Sequence, residues 1–155
     1  MSGVCIENSL TEIEQIMKSI SIYIHIPFCV KKCQYCDFLS APADSRAQKV
    51  YLRALKQEIR EQAARYREYE VQTGFIGGGT PTAVPCEKLC EVLKTVFTCY
   101  RVNPQAEISM EANPGTVTKE ALLSYRKAGI NRLSIGLQSA DDGELKLLGR
   151  IHTYR

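Results

Sequence analysis

Short β-branched segments alternate four times with amphipathic helical segments along this chain of 155 residues, and that rhythm leaves few folds open. Ser21 to Ile26 (SIYIHI) reads as a strand ended by Pro27. A helix follows, with Val50, Tyr51, Ala54, Leu55 and Ile59 on its apolar face. The second strand, Val71 to Ile76, closes on Gly77-Gly78-Gly79. Its helix begins near Pro85 and carries Leu89, Val92, Leu93, Val96 and Phe97. The third strand is Glu107 to Ala112, after which Thr118 caps a helix that Gly129 stops. Arg132 to Leu137 is the fourth strand, and a short helix ends at Leu148-Gly149. Four βα units in succession predict an α/β fold with right-handed crossovers and a parallel sheet. Ahead of them, Ile13, Ile16, Met17 and Ile20 fall at helical spacing, which predicts a lead-in helix over residues 1–20.

The unusual residues all fall at the carboxyl ends of these strands. A cysteine loop follows the first strand, the triple glycine ends the second, Glu111 ends the third and Gln138 the fourth. One rim of the sheet therefore collects them, as in parallel α/β barrels with active sites at that end. A typical eight-unit barrel needs ~250 residues, so the chain is expected to form a partial barrel of about four units. Its fourth strand would then be an edge with an apolar face.

The loop itself, Cys29-Val-Lys-Lys-Cys33-Gln-Tyr-Cys36, supplies three thiolates at Cys-x3-Cys-x2-Cys spacing. Cubane iron–sulfur clusters and tetrahedral zinc each take four ligands. Three protein ligands leave a position where a small molecule binds, whereas a zinc or structural thiol module would recruit a fourth side chain, and none stands in the loop. Cys86 and Cys90 lie one turn apart on a helix with Cys99 beyond, and read as helix thiols before they read as a second metal site; Cys5 carries no readable meaning. With seven cysteines, no disulfide-scaffold spacing and no signal-peptide layout, the chain is expected to be cytoplasmic. A net charge of +3 without a basic block gives no sign of nucleic-acid binding, and no apolar run reaches a membrane span.

Further runs complete a pattern: Tyr23-Ile-His25-Ile-Pro27-Phe28-Cys29, Gly77-Gly78-Gly79-Thr80-Pro81, Glu111-Ala-Asn113-Pro114, Asn131-Arg132-Leu-Ser-Ile-Gly136-Leu-Gln138-Ser139 and Leu148-Gly149-Arg150-Ile-His152. Together with the cysteine loop they resemble the radical S-adenosylmethionine (SAM) proteins. Within those, they resemble the family of oxygen-independent coproporphyrinogen III oxidases and the related haem chaperone branch, HemW. The resemblance runs from about residue 21 to the end, so residues 21–155 match the N-terminal portion of a radical SAM core domain. It implies a partial (β/α) barrel of the radical SAM type, lacking the family's last strands and C-terminal domain.

The same resemblance implies that Cys29, Cys33 and Cys36 hold a [4Fe–4S] cluster whose fourth iron is open to SAM. Tyr23 would face the sulfonium, Tyr35 the adenine, and Gly78, Gly79 and Thr80 the amino group. Glu111 would hold the ribose hydroxyls, Gln138 would make a further SAM contact, and Arg150 would fork onto the SAM carboxylate. One electron passed from the cluster would cleave SAM to methionine and a 5′-deoxyadenosyl radical. A reduced flavodoxin- or ferredoxin-type protein is the implied donor, and Lys31 and Lys32 are candidates for its docking. The oxidases carry Gly-Cys after the third cysteine, whereas Asp37-Phe38 stands here, the form of the chaperone branch. The expected activity is thus binding of haem and its delivery to acceptor proteins, with coproporphyrinogen III decarboxylation as the alternative. His25 could point inward from the first strand, and His152 stands beside Arg150; neither is assigned a role.

Overall fold

A computed structural model describes residues 17–154. Four parallel strands lie in sequence order, β1 (Lys18–Ile26), β2 (Tyr69–Gly78), β3 (Arg101–Ala112) and β4 (Arg132–Ile135). Helices follow each: α1 (Ser45–Ala63), α2 (Cys86–Cys99), α3 (Lys119–Lys127) and α4 (Asp142–Leu147). The fold is α/β with an open sheet, an incomplete barrel, as the βα rhythm predicts.

Period two decides which side chains enter the core. Ile22, Ile24 and Ile26 of β1, Ile76 of β2, and Ile108 and Met110 of β3 point to the helices and pack with Leu52, Ile59, Leu89, Val92, Leu93 and Val96. The opposite face is polar. Tyr23, Phe75, Ser109 and Arg132 form one row across all four strands, and Thr73 pairs with Glu107 in the row before. Arg132 reaches Glu107 at 3.1 Å and the Ser109 hydroxyl at 3.3 Å. Thr73 donates to Ser21 at 2.7 Å. The next row toward the strand ends holds His25 opposite Gly77 and Glu111 opposite Ser134, which brings the rim residues into line.

Three expectations shift. The lead-in helix lies mostly outside the described residues, but Ile20, assigned to it, is in β1: the alternation of Ile20, Ile22, Ile24 and Ile26 outcompetes the helical spacing. The buried face of α1 is turned toward Leu52, with Tyr51, Leu55 and Ile59, while Val50 (65% exposed) and Ala54 face solvent. Strand β3 begins at Arg101 rather than Glu107. Pro104 is tolerated inside it because the β2–β3 register breaks between Val71 and Thr73, so no ladder N–H is missed.

At the open edge, Leu133 (36%) and Ile135 (52%) of β4 are exposed, as expected of an uncovered edge strand. What aligns β4 is Asn131, whose carboxamide oxygen accepts from Ile108 N–H at 2.8 Å and whose NH2 donates to Ala106 C=O at 2.7 Å. Alanine at Asn131 strips partners from two backbone groups of a buried stretch. The expected loss is about 2 kcal/mol, read as a lower urea midpoint.

Candidate functional site

Each rim residue is aimed by a local feature of the chain. After β1, Pro27 and Phe28 carry the chain out, and the cysteine loop is tied down at both ends: Ala41 N–H donates to Pro27 C=O (3.0 Å) and Cys29 N–H to Ala41 C=O (3.2 Å). Phe28 is buried against Tyr51, ring to edge at 5.2 Å, so the loop springs from a fixed root. Gly78 sits at φ +113°, a conformation glycine adopts without penalty. A Cβ there would come within 2.6 Å of the His25 ring. At Gly79 it would lie 2.6 Å from Phe28 C=O and 3.0 Å from Cys29 Sγ, so the backbone passes directly against the cysteine loop.

All three N–H groups of this turn are spent inside the protein. Gly78 donates to Glu111 Oε2 (3.2 Å), Gly79 to Ile26 C=O (2.8 Å) and Thr80 to Phe28 C=O (2.7 Å). A cation would therefore meet the turn at its carbonyls. The Thr80 hydroxyl reaches Cys29 Sγ at 3.6 Å.

Arg150 closes the far side. Asp141 caps α4 by accepting from Glu144 N–H at 2.9 Å, and Leu145 anchors the helix in the interior. Gly149, at φ +73°, then reverses the chain and sends Arg150 inward. The guanidinium donates to Gly136 C=O (2.7 Å) and lies 3.4 Å from the Tyr35 hydroxyl and 3.6 Å from Cys33 Sγ. Its Nε–H is buried and has no partner among the described residues. Gln138 adopts φ +71°, the one non-glycine left-handed residue among those described. Strain of this kind costs about 1–3 kcal/mol and gathers at ligand clamps.

These residues surround one cavity of about 270 Å³. Cys29, Cys33, Cys36, Tyr35, Gly78, Gly79, Thr80, Glu111, Gln138 and Arg150 all line it, ten of the eleven residues expected at the site. Tyr23 does not. It stands on the same open face, 59% exposed, stacked on Phe75 with its hydroxyl 3.0 Å from His25 Nδ1. Burial, and then the Glu111 carboxylate, push the Tyr23 phenol above its ordinary range, so it keeps its proton.

His25, which no sequence pattern assigns a role, is a structural junction. Its Nε2 donates to Leu39 C=O at 3.0 Å, since a carbonyl only accepts, while Nδ1 shares a hydrogen bond with the Tyr23 hydroxyl. His25 thereby joins β1, the end of the cysteine loop and the glycine turn. Asn113, Ser134 and Gly136 also line the cavity. Ser134 was recoverable from the alternation that puts it beside Glu111; Asn113 had only its motif. His152 bonds Leu137 C=O at 3.1 Å and is not in the cavity wall.

A model of the radical SAM superfamily matches residues 23–155. The chain belongs to that superfamily. Among curated radical SAM relatives, the heme chaperone HemW of Escherichia coli is 43% identical over 86% of this chain and 35% of its own length. HemW of Bacillus subtilis is 39% identical over 87% of this chain and 36% of its own. Coproporphyrinogen III oxidase (HemN) from Escherichia coli, described as a radical SAM enzyme, superposes with a TM-score of 0.82 at 32% identity, covering 89% of this chain and 32% of that one. The chain thus spans about a third of the length of the relatives it matches.

Membership in the radical SAM superfamily implies a [4Fe–4S] cluster and SAM. The donor set fits both. Three free thiols, a glycine turn that no Cβ could enter, and a buried, unspent guanidinium N–H face one space. No three His, Cys, Asp or Glu side chains among the described residues meet around a single ion. A cubane takes one thiolate per iron and does not require them to. No described helix is long and apolar enough to cross a membrane.

Proposed function

We propose that Cys29, Cys33 and Cys36 hold a [4Fe–4S] cluster and that Gly78, Gly79, Thr80, Glu111, Gln138 and Arg150 hold SAM at its open iron, in the first portion (residues 21–155) of a haem chaperone of the HemW type. The observation that carries this is the single cavity joining the three thiols to the glycine turn, the carboxylate and the guanidinium. When bound, the cluster supplies one electron for reductive cleavage of SAM.

The chain's own residues bind and orient. Arg150 offers to a carboxylate its Nε–H, unpaired among the described residues, beside an Nη1 that already points at the cysteine loop. Carbonyls of the glycine turn accept from an ammonium. Glu111, already drawn to Gly78 N–H, has its second oxygen for ribose hydroxyls. Tyr35 is half-exposed at the mouth, and burial raises its phenol against the opposing pull of Arg150, so it stays neutral there. Tyr23 would act from the row below the cavity, its ring held by His25 and Phe75.

The chaperone reading rests on Asp37-Phe38 after the third cysteine and on the HemW names of the relatives. Haem, acceptor proteins, a flavodoxin- or ferredoxin-type donor and a cytoplasmic location belong to this proposal. Lys32 donates to Phe38 C=O at 3.2 Å and shapes the loop, which leaves Lys31, at the cavity mouth, as the better candidate for meeting an acidic donor. Offering the reconstituted protein haem and coproporphyrinogen III side by side separates the branches: stoichiometric haem uptake without porphyrinogen turnover is expected, and decarboxylation would move the assignment to the oxidase.

Arg150→Lys tests the SAM clamp. Lysine keeps the charge but loses the planar fork, so SAM affinity measured by equilibrium dialysis should fall about tenfold, with the cluster still formed. Unchanged affinity would remove Arg150 from the SAM site.

A further inference from the structure

A second, larger space lies away from the rim, where α2 and α3 leave between them a groove of about 630 Å³. Two thiols stand in its wall. Cys86 and Cys90 are one helical turn apart and their Sγ atoms are 3.9 Å from each other; neither is in a disulfide. Two sulfurs held ~2.3 Å from a common ion lie ~3.8 Å apart at the tetrahedral angle and ~4.6 Å apart when opposed. The observed separation lies near the lower end of that span, a bent arrangement that leaves room for a third ligand such as water. We propose that Cys86 and Cys90 form a two-thiolate site for a soft, thiophilic metal ion, of which monovalent copper is the best match.

Thiolate donors select soft ions over hard ones, and monovalent copper is satisfied by two or three ligands where zinc asks for four. Binding releases both protons: one cuprous ion and two thiols give a dithiolate complex of charge −1 and two hydrogen ions. Lys94 of α2 and Lys127 of α3 line the groove and offset that charge, against Glu87 as the opposing carboxylate. Tyr125, facing the thiols from α3, is held neutral chiefly by burial. The pair is separate from the cysteine loop, and the inference does not rest on the SAM reading.

The test is an anaerobic titration with cuprous ion against a colorimetric cuprous chelator, in the full chain carrying Cys29→Ala, Cys33→Ala and Cys36→Ala so that the loop thiols do not compete. One equivalent is expected to bind. Cys90→Ser should weaken it at least a hundredfold, and Cys99→Ser should leave it unchanged. Equal binding by a folded Cys90→Ser chain, or no binding beyond what Cys99 accounts for, overturns the proposal. Should Cys90→Ser lose its fold, iodoacetamide labelling decides: copper that shields Cys86 and Cys90 together supports the site, and labelling indifferent to copper refutes it.

Discussion

Replacing Cys33 with alanine is expected to leave the fold intact and to take anaerobically reconstituted iron and sulfide from about four of each per chain to near zero. Cys33 is half-exposed in a loop, outside the hydrophobic core, and its thiol meets polar neighbours, the Arg150 guanidinium at a long 3.6 Å and the Tyr35 side chain. Its removal therefore costs little packing. Two thiolates cannot hold a cubane against dissociation, whereas loss of a merely structural thiol would leave metal content unaffected. Circular dichroism checks the first half of the expectation and colorimetric iron and sulfide the second. Full iron and sulfide in a folded Cys33→Ala chain would take Cys33 out of the ligand set.

Gly78→Ala is expected to have the largest effect on the fold of any single methyl group added at the rim. Alanine there must hold φ near +113°, at a cost of about 1–3 kcal/mol. Its Cβ would also lie 2.6 Å from an imidazole that cannot step aside freely, since Tyr23 and Leu39 hold both ring nitrogens. Overpacking adds about 1–3 kcal/mol. Together these imply a fall in melting temperature on the order of 10 °C for a domain of this size, and a displaced cysteine loop. Gly143→Ala in α4 is the contrast, because its added methyl meets only the carboxylate end of Asp141. Its helix should tolerate or gain from it. Equal melting temperatures for the two variants would mean that the glycine turn is not the tight junction described.

Much of this was legible in the sequence because it rests on period and punctuation. Proline and glycine mark the strand ends, Thr118 caps α3 through Ala121 N–H, and alternation places Glu111 on the open face. The illegible parts depend on partners distant in sequence. Which side of α1 is buried follows from where α2 lies, and Val50 looks as apolar as Leu52 until then. His25 reads as one more strand residue, and only the return of the chain at Leu39 makes it a junction. Asn131 stands in for a missing stretch of ladder, a role that no local pattern announces. Tyr23 is in the expected strand, and the row it occupies, opposite Phe75, lies below the cavity, a depth that strand alternation alone does not specify.

The most direct test of the account is electron paramagnetic resonance of the anaerobically reconstituted and reduced protein, with and without SAM. A cubane signal that changes shape on adding SAM, and does so only at higher SAM concentration in Arg150→Lys, is the predicted result. A cluster indifferent to SAM, or no cluster on three intact thiols, would contradict the assignment of the rim cavity as the site where the two meet.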